Sequence, residues 1–504
     1  MLIYKKHKSL ILIIFFTVLA LPFILLSQNS PSSFPDNHRD LKQPINYSTM
    51  AAFLNSLKDK SFIQVTVEGQ SIQNRSLYLV HLNRKKGKKK QWRVFFYAQQ
   101  HGNETSGKDA LLYLIRYISE KPKLLPPEVD LWIMPMVNPD GAEADKRRNA
   151  NDADLNRDHV LLAQPETQTL HKVFRGIMPH VAVDCHEFTR DSRDYTEKGW
   201  WEWPVIMMDC ANNPLFYPKL YEAGLRWCEK VKPLMKKNGH NYCRYFVGGT
   251  PPEGELRYST PELDDGRNGL GTYQGLSFII EAGVFREVQD PHADLAKRVD
   301  AYLDLLNQFL KKDKFRQQEM KTIQLARNAK IPDFIPTNYF WANKGQKITS
   351  VKVIETASRK TIEIPTANFM TDLVVKQSVS TPAAYIIDAE AAPGFKSLLD
   401  RHGIPFSILE ESQTFFVESC QLIRIEEPFD ELYSRYENRL IVKPNKPGKK
   451  EFPAGSMFVP IQPPYGIRAI LVLEPMQLYG LYHHLQFKKL VKEDKTLPVF
   501  RVTQ

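Results

Sequence analysis

At 504 residues the chain is too long for one ordinary core, so two domains are expected. Its 42% hydrophobic and 25% charged content is that of a globular protein. Lys and Arg exceed Asp and Glu by 68 − 57 = 11, but no basic-aromatic tract or nucleic-acid motif accompanies the excess, so no nucleic-acid partner is expected. None of the five cysteines stands in Cys-x-x-Cys spacing, which excludes a thiolate zinc or redox motif. Pairing among Cys210, Cys228 and Cys243 stays open.

Residues 1–27 read as a targeting segment. Lys5, Lys6 and Lys8 precede an apolar run at 10–26 that only Thr17 and Pro22 interrupt. A cleaved signal peptide has this order of parts, and the run is also just long enough for a retained membrane anchor. Either way the rest is expected to be exported: periplasmic, anchored to the inner membrane facing the periplasm, or secreted. Residues 28–44 form a polar linker rich in Ser, Pro and Asn.

Residues 45–315 alternate strand-like and helix-like patterns. Strands are predicted at 62–67, 77–82, 94–98, 129–137, 181–185 and 277–280, and helices at 108–119, 165–177 and 291–312. The basic run 84–90 reads as a solvated hairpin tip or a contact to anionic lipid or wall polymer. Asn138-Pro139-Asp140-Gly141 is a turn, and 146–158 is too polar for a core element. This alternation predicts an α/β domain with a mixed or parallel sheet. Residues 316–504 predict a smaller, β-rich α/β accessory region, with strands scattered over 331–380, at 384–387 and at 406–409, and a helix at 393–402 closed by Gly403.

Three sites follow apolar strands: the loop Gln100-His101-Gly102-Asn103-Glu104, then His186 after 181–185, then Glu281 after 277–280. Ligands bind at strand ends in open α/β sheets. His101, Glu104 and His186 make a His₂Glu set that leaves a position for water, as in zinc hydrolases. A further carboxylate is then needed as general base, and Glu281 is the candidate. The arginines of the 147–157 loop can stabilise an oxyanion.

With these residues in order, the chain resembles the M14 family of zinc metallocarboxypeptidases over about 45–315. The resemblance is carried by His-x-x-Glu at 101–104, Asn-Pro-Asp-Gly at 138–141, Arg-x-Asn-Ala…Asp-Leu-Asn-Arg at 147–157, Asp-x-His at 184–186 and the strand-borne Glu281. It implies a mixed, mostly parallel sheet flanked by helices and one Zn²⁺ per chain held by His101, Glu104 and His186. It further implies that Arg147 stabilises the oxyanion, with Arg148 open as its alternate, and that Asn156 and Arg157 grip the substrate's terminal carboxylate. Glu281 is the implied general base and acid. The family's mobile tyrosine has two candidates here, Tyr258 and Tyr273. The sequence departs from the family at Asp152-Ala153, where Gly-Val is common.

Two stretches near these motifs have open readings. Trp200-Trp201-Glu202-Trp203 is a substrate platform or a small satellite core, and Pro261-Glu262-Leu263-Asp264-Asp265 either favours a basic terminal residue or is a solvated acidic loop. The later region resembles C-terminal extensions of some bacterial M14 peptidases, through residues 382–387, 401–404 and 453–456. The implied function is exported, zinc-dependent hydrolysis of a peptide's C-terminal amide bond. The alternatives are a muropeptide hydrolase on the same scaffold, a small-molecule deacylase and a non-catalytic peptide-binding module.

Overall fold

Apolar alternation builds an eight-stranded mixed sheet. In chain order its strands are β1 (Ile63–Gln70), β2 (Ser76–Leu82), β3 (Trp92–Ala98), β4 (Val129–Met134) and β5 (Val181–Thr189). After a short strand, β6 (Trp200–Glu202), come β7 (Ile206–Cys210) and β8 (Tyr242–Arg244); β9 (Phe246–Gly248) and β10 (Leu256–Tyr258) stand outside the sheet, and β11 (Leu276–Val284) returns to it. The order across the sheet is β1-β2-β4-β3-β5-β11-β7-β8. The central ribbon β4-β3-β5-β11 is parallel, and antiparallel pairs lie to either side. The expected α/β class with a mixed sheet is thus the architecture found.

This computed structural model describes residues 35–58, 60–84, 91–287, 291–312, 315–426, 439–484 and 495–503. The targeting segment, the first part of the linker and the basic run beyond Arg84 lie outside the described residues. Among the described residues no helix is long and apolar enough to cross a membrane.

Both faces of the sheet are covered, so its central strands read as unbroken apolar runs. Successive side chains point to opposite faces. Val94, Phe96 and Ala98 of β3 enter one core, while Phe95 and Tyr97 enter another. Burying each such Val or Phe stabilises by about 1.5–3 kcal/mol. The first core takes the helices Ser106–Glu120, Pro218–Lys237 and Pro291–Leu310; the second takes Pro165–Ile177. His38 and His240 place their Nε2 atoms 2.9 Å from Asp300 and Asp304 of helix Pro291–Leu310, which ties residues 38–40 to that helix.

Three predicted boundaries shift. β5 and β11 run three residues past His186 and Glu281, so these two stand inside the ladder rather than at strand ends. They are direct register partners, on neighbouring parallel strands and on one face. β4 stops at Met134. The 138–141 turn opens a short helix, Pro139–Glu143, capped by Asn138, whose Oδ1 accepts from Gly141 N–H at 2.9 Å. No disulfide joins the cysteines.

The later region is β-rich, as expected. A six-stranded sheet has Ala384–Ile387 between Met457–Pro460 and Val499–Val502. Helix Ala392–His402 ends on Gly403, whose φ of 65° is left-handed. Its apolar core also contains Val160, Leu215, Phe216 and Leu263 from the first region. Thr349–Glu355 pairs with β6, and Phe369–Met370 pairs with β10. The two regions therefore share core and ladder hydrogen bonds.

Candidate metal centre

The centre begins where β3 ends. The chain turns through Gln99, whose φ of 59° is left-handed and whose Nε2 donates to Gly102 O at 2.7 Å. The loop that follows is clamped to the 138–147 segment. Asn138 N–H donates to Gln99 O at 3.0 Å and Gly102 N–H to Arg147 O at 3.1 Å. Asn138 Nδ2 donates to Gln100 O and Arg147 O. The Asn-Pro-Asp-Gly motif thus works as a staple between the two loops.

Within that frame, His101 Nδ1 lies 2.7 Å from Glu104 Oε1, and His186 Nδ1 lies 2.9 Å from Glu104 Oε2. The two Nδ1 atoms are 3.1 Å apart. Behind the rings, Asp154 Oδ1 stands 3.1 Å from His101 Nε2, and Asp184 Oδ2 stands 3.0 Å from His186 Nε2, the latter off the line of the N–H. With the His101 proton on Nε2 toward Asp154, the His101 Nδ1 is turned, with His186 Nδ1, toward the Glu104 carboxylate. Two imidazole nitrogens 3.1 Å apart beside a carboxylate are arranged to share a cation.

The field agrees with that demand. Burial opposes charge on His186, yet Asp184 and Glu104 hold it well above the usual imidazole range. Burial also works against ionised Glu104, yet His101 and His186 pull its carboxyl far below the usual range. The three ligand atoms lie within 4.8 Å of one another. A His₂-carboxylate set backed by carboxylates on the outer ring nitrogens fits zinc. Asp154→Asn and Asp184→Asn are each expected to weaken zinc binding about 10- to 100-fold. Competition against a chelator measures this; unchanged affinity would mean that these carboxylates do not tune the ligands.

Around this cluster the implied substrate residues take distinct places. Arg147 Nε bonds Asp154 Oδ2 at 3.0 Å, and its Nη1 lies 3.4 Å from Glu104 Oε1. Arg148 turns away and donates to Asp152 O; of the two arginines, Arg147 faces the centre. Asn156 Oδ1 accepts from Gly266 N–H at 2.6 Å and from Gln100 Nε2 at 3.3 Å, which leaves Nδ2 as its donor end. Arg157 Nη1 donates to Asn156 O at 2.7 Å. Burial disfavours the Arg157 charge, but Glu262, Asp154, Asp265 and Asp264 sustain it. Glu281 stands beside His186 by register and hydrogen-bonds Tyr245. Burial pushes its carboxyl up to about 8, with Glu104 adding to the rise and His186, Tyr245 and Arg147 opposing it.

Both tyrosines expected at the site are packing residues. Tyr258 lies against the Arg244 guanidinium at 3.7 Å and against Phe369 and Trp341. Tyr273 is 1% exposed, packs on Phe174 and directs its hydroxyl at His171. The tyrosine set beside Glu281 is Tyr245, which follows edge strand β8 and carried no motif. Asp154 and Asp184 stood inside quoted motifs but had no assigned role.

The two stretches with open readings make these contacts. Asp264 accepts Val160 N–H, and Asp265 caps helix Gly266–Gly271 and pairs with Arg267. Trp200, Trp201 and Trp203 are half-buried, with Lys198, Arg359 and Lys352 over their rings.

Residues 50–197 match the Peptidase_M14 family, described as zinc carboxypeptidase. The matched segment contains His101, Glu104, Arg147, Asn156, Arg157 and His186 and stops before Glu281. Carboxypeptidase 2 of Trichophyton rubrum is 30% identical over 195 residues, which is 38% of this chain and 36% of that protein. Probable carboxypeptidase 2 of Arthroderma benhamiae is 37% identical over 100 residues, 19% of each chain. The chain spans about a third or less of the length of these curated relatives. A metallo-carboxypeptidase structure from Burkholderia cenocepacia aligns over 53% of this chain and 69% of its own, at 19% identity and a TM-score of 0.42.

Proposed function

We propose that this chain, whose residues 50–197 are of the M14 zinc carboxypeptidase kind, is an exported peptidase that removes the C-terminal residue of peptides. The observation that carries the reading is the register pairing of Glu281 with His186, which sets a second buried carboxyl beside two converging imidazole nitrogens and the Glu104 carboxylate. Export is supported by the basic flank and apolar run of residues 1–27.

Zinc held by His101, Glu104 and His186 would polarise the scissile carbonyl and help ionise the attacking water. Glu281, once ionised, takes the water proton and returns it to the leaving amine. Arg147 donates to the developing oxyanion. Asn156 Nδ2 and Arg157 hold the terminal carboxylate of the substrate, a task suited to a planar guanidinium.

The test is a panel of free-acid peptides, their C-terminal amides and muropeptides, incubated with the full chain and read by mass spectrometry. Single residues are expected to be lost from the free acids. Amides should react about 10- to 100-fold more slowly, the worth of a charged hydrogen bond of about 1.5–3 kcal/mol. Equal cutting of acids and amides would remove Asn156 and Arg157 from carboxylate recognition. Cutting confined to muropeptides would make the protein a wall hydrolase, and zinc binding without turnover would make it a binding module.

A further inference from the structure

A chain of buried hydrogen bonds runs from the later region to the metal centre, and its first member is Arg468. This residue sits in the apolar helix Gly466–Leu473, is 2% exposed, and has no carboxylate among its hydrogen-bond partners. It bonds Gly269 O at 3.0 Å, Thr272 Oγ1, and His171 Nδ1 at 2.8 Å, and it lies over the Tyr273 ring at 4.4 Å. An uncompensated buried cation is costly. Burial lowers its pKa only to about 10, so it is charged at neutral pH.

Its charge fixes the direction of every bond beyond it. A guanidinium only donates, so His171 Nδ1 must be a lone pair and the His171 proton must sit on Nε2. That N–H donates to His159 Nδ1 at 2.9 Å, which places the His159 proton on its own Nε2. His159 Nε2–H donates to Gln100 Oε1 at 2.8 Å. Gln100 is thereby oriented with its Nε2 toward Asp184 Oδ2 at 2.7 Å and Asn156 Oδ1 at 3.3 Å. The chain has a donor-only group at one end and an acceptor-only carboxylate at the other, and its polarity runs one way.

We infer that Arg468 is a positioning residue for the centre: by setting the tautomers of His171 and His159 it orients Gln100, and through Gln100 it holds both Asp184, which backs the ligand His186, and Asn156. Residues 316–504 would then complete the site rather than decorate it. Burial, reinforced by Arg468, lowers the His159 pKa to about 3 and that of His171 well below its usual value, so both rings stay neutral as the chain of bonds requires. Helix Gly266–Gly271 shows how tightly the array is set. A Cβ at Gly266 would stand 2.6 Å from both Asp184 Oδ2 and Gln100 Nε2. Without Arg468, His171 can carry its proton on Nδ1. The chain then keeps only its Asp184 end to hold the polarity, and the His171 and His159 tautomers and the Gln100 amide are less firmly set. The Tyr273 hydroxyl, 3.3 Å from His171 Nδ1, is the one neighbour able to substitute as donor among that atom's described partners.

This inference rests on the metal-centre reading for its functional half only, and the tests separate the halves. In the full chain labelled with ¹⁵N-histidine, NMR should show both His171 and His159 as Nε2–H tautomers. Their signals are assigned by difference from His171→Asn and His159→Asn. The R468M/Y273F double variant should lose that pattern and bind zinc about tenfold more weakly. R468K keeps a donor and should retain zinc affinity within about threefold and the tautomers unchanged. An Nδ1–H tautomer at either ring in the unmodified protein overturns the inference, and this measurement needs no variant to fold. So does zinc affinity in R468M/Y273F equal to that of the unmodified protein. If the tautomers and the zinc effect appear but no peptide is cut, the peptidase reading fails and the positioning role stands.

Discussion

Glu281→Gln is expected to lower kcat on free-acid peptides by about 10²- to 10⁴-fold while the chain still binds one zinc ion. The substitution is isosteric and keeps an acceptor for the Tyr245 hydroxyl. It removes only the ability to take a proton. None of the three ligands changes, so metal content should not move. The pH profile gives a second readout. Burial pushes the metal-free Glu281 carboxyl up to about 8. A dication at His101, Glu104 and His186 favours the ionised form and draws that value down. In the zinc-loaded protein kcat/KM should therefore rise with pH along a limb centred below 8, and E281Q should lack that limb. A loss under tenfold, or a limb that survives the substitution, would take Glu281 out of proton transfer.

The candidate ligands were legible in the sequence because they lie in short motifs just after or on strongly apolar strands. Periodicity also placed β3, helix Pro165–Ile177 and helix Pro291–Leu310 close to where they lie. The sequence could not show that His186 and Glu281 are neighbours, since they are far apart in the chain and meet only through parallel register between β5 and β11. The same reason hid Tyr245, which no motif marks and which reaches Glu281 only because β8 is the outer strand of the sheet. Tyr258 and Tyr273 lie close to Glu281 along the chain. In space Tyr273 faces the opposite network, that of His171 and Arg468.

In the sequence the later region shows no chemical pattern of its own, because what it brings to the first region is tertiary. Its lone buried arginine in Gly466–Leu473 is unremarkable until the fold brings it to His171. Likewise Val160 belongs to a core made mostly of residues beyond 384, and its carbonyl accepts from His402 Nε2 at 2.7 Å. A loop that begins in the 147–157 segment thus ends packed on the later region. Tertiary contacts of this length leave no local signal.

Gly102→Ala is expected to destabilise the fold by about 3 kcal/mol or more and to remove zinc binding with it. No sequence pattern explains glycine between the candidate ligand His101 and the exposed Asn103. In the structure a Cβ at Gly102 would stand 2.1 Å from Gly141 C, 2.3 Å from Ala142 N and 2.5 Å from Lys146 O. These are backbone atoms, which cannot swing aside as a side-chain tip can. The 138–147 segment would have to retreat, which breaks the Gly102 N–H bond to Arg147 O and the Asn138 staple. Arg147 would then leave Asp154 and Glu104, and His101 would lose the loop geometry that turns its Nδ1 toward the other ligands. Denaturant unfolding together with zinc content measures both effects. Asn103→Ala, one residue on and exposed, is the control and should stay within about 0.5 kcal/mol of the parent. If Gly102→Ala also stayed within 1 kcal/mol and kept its zinc, the two loops would not be locked together, and the placement of Arg147 would have to come from its bond to Asp154 alone.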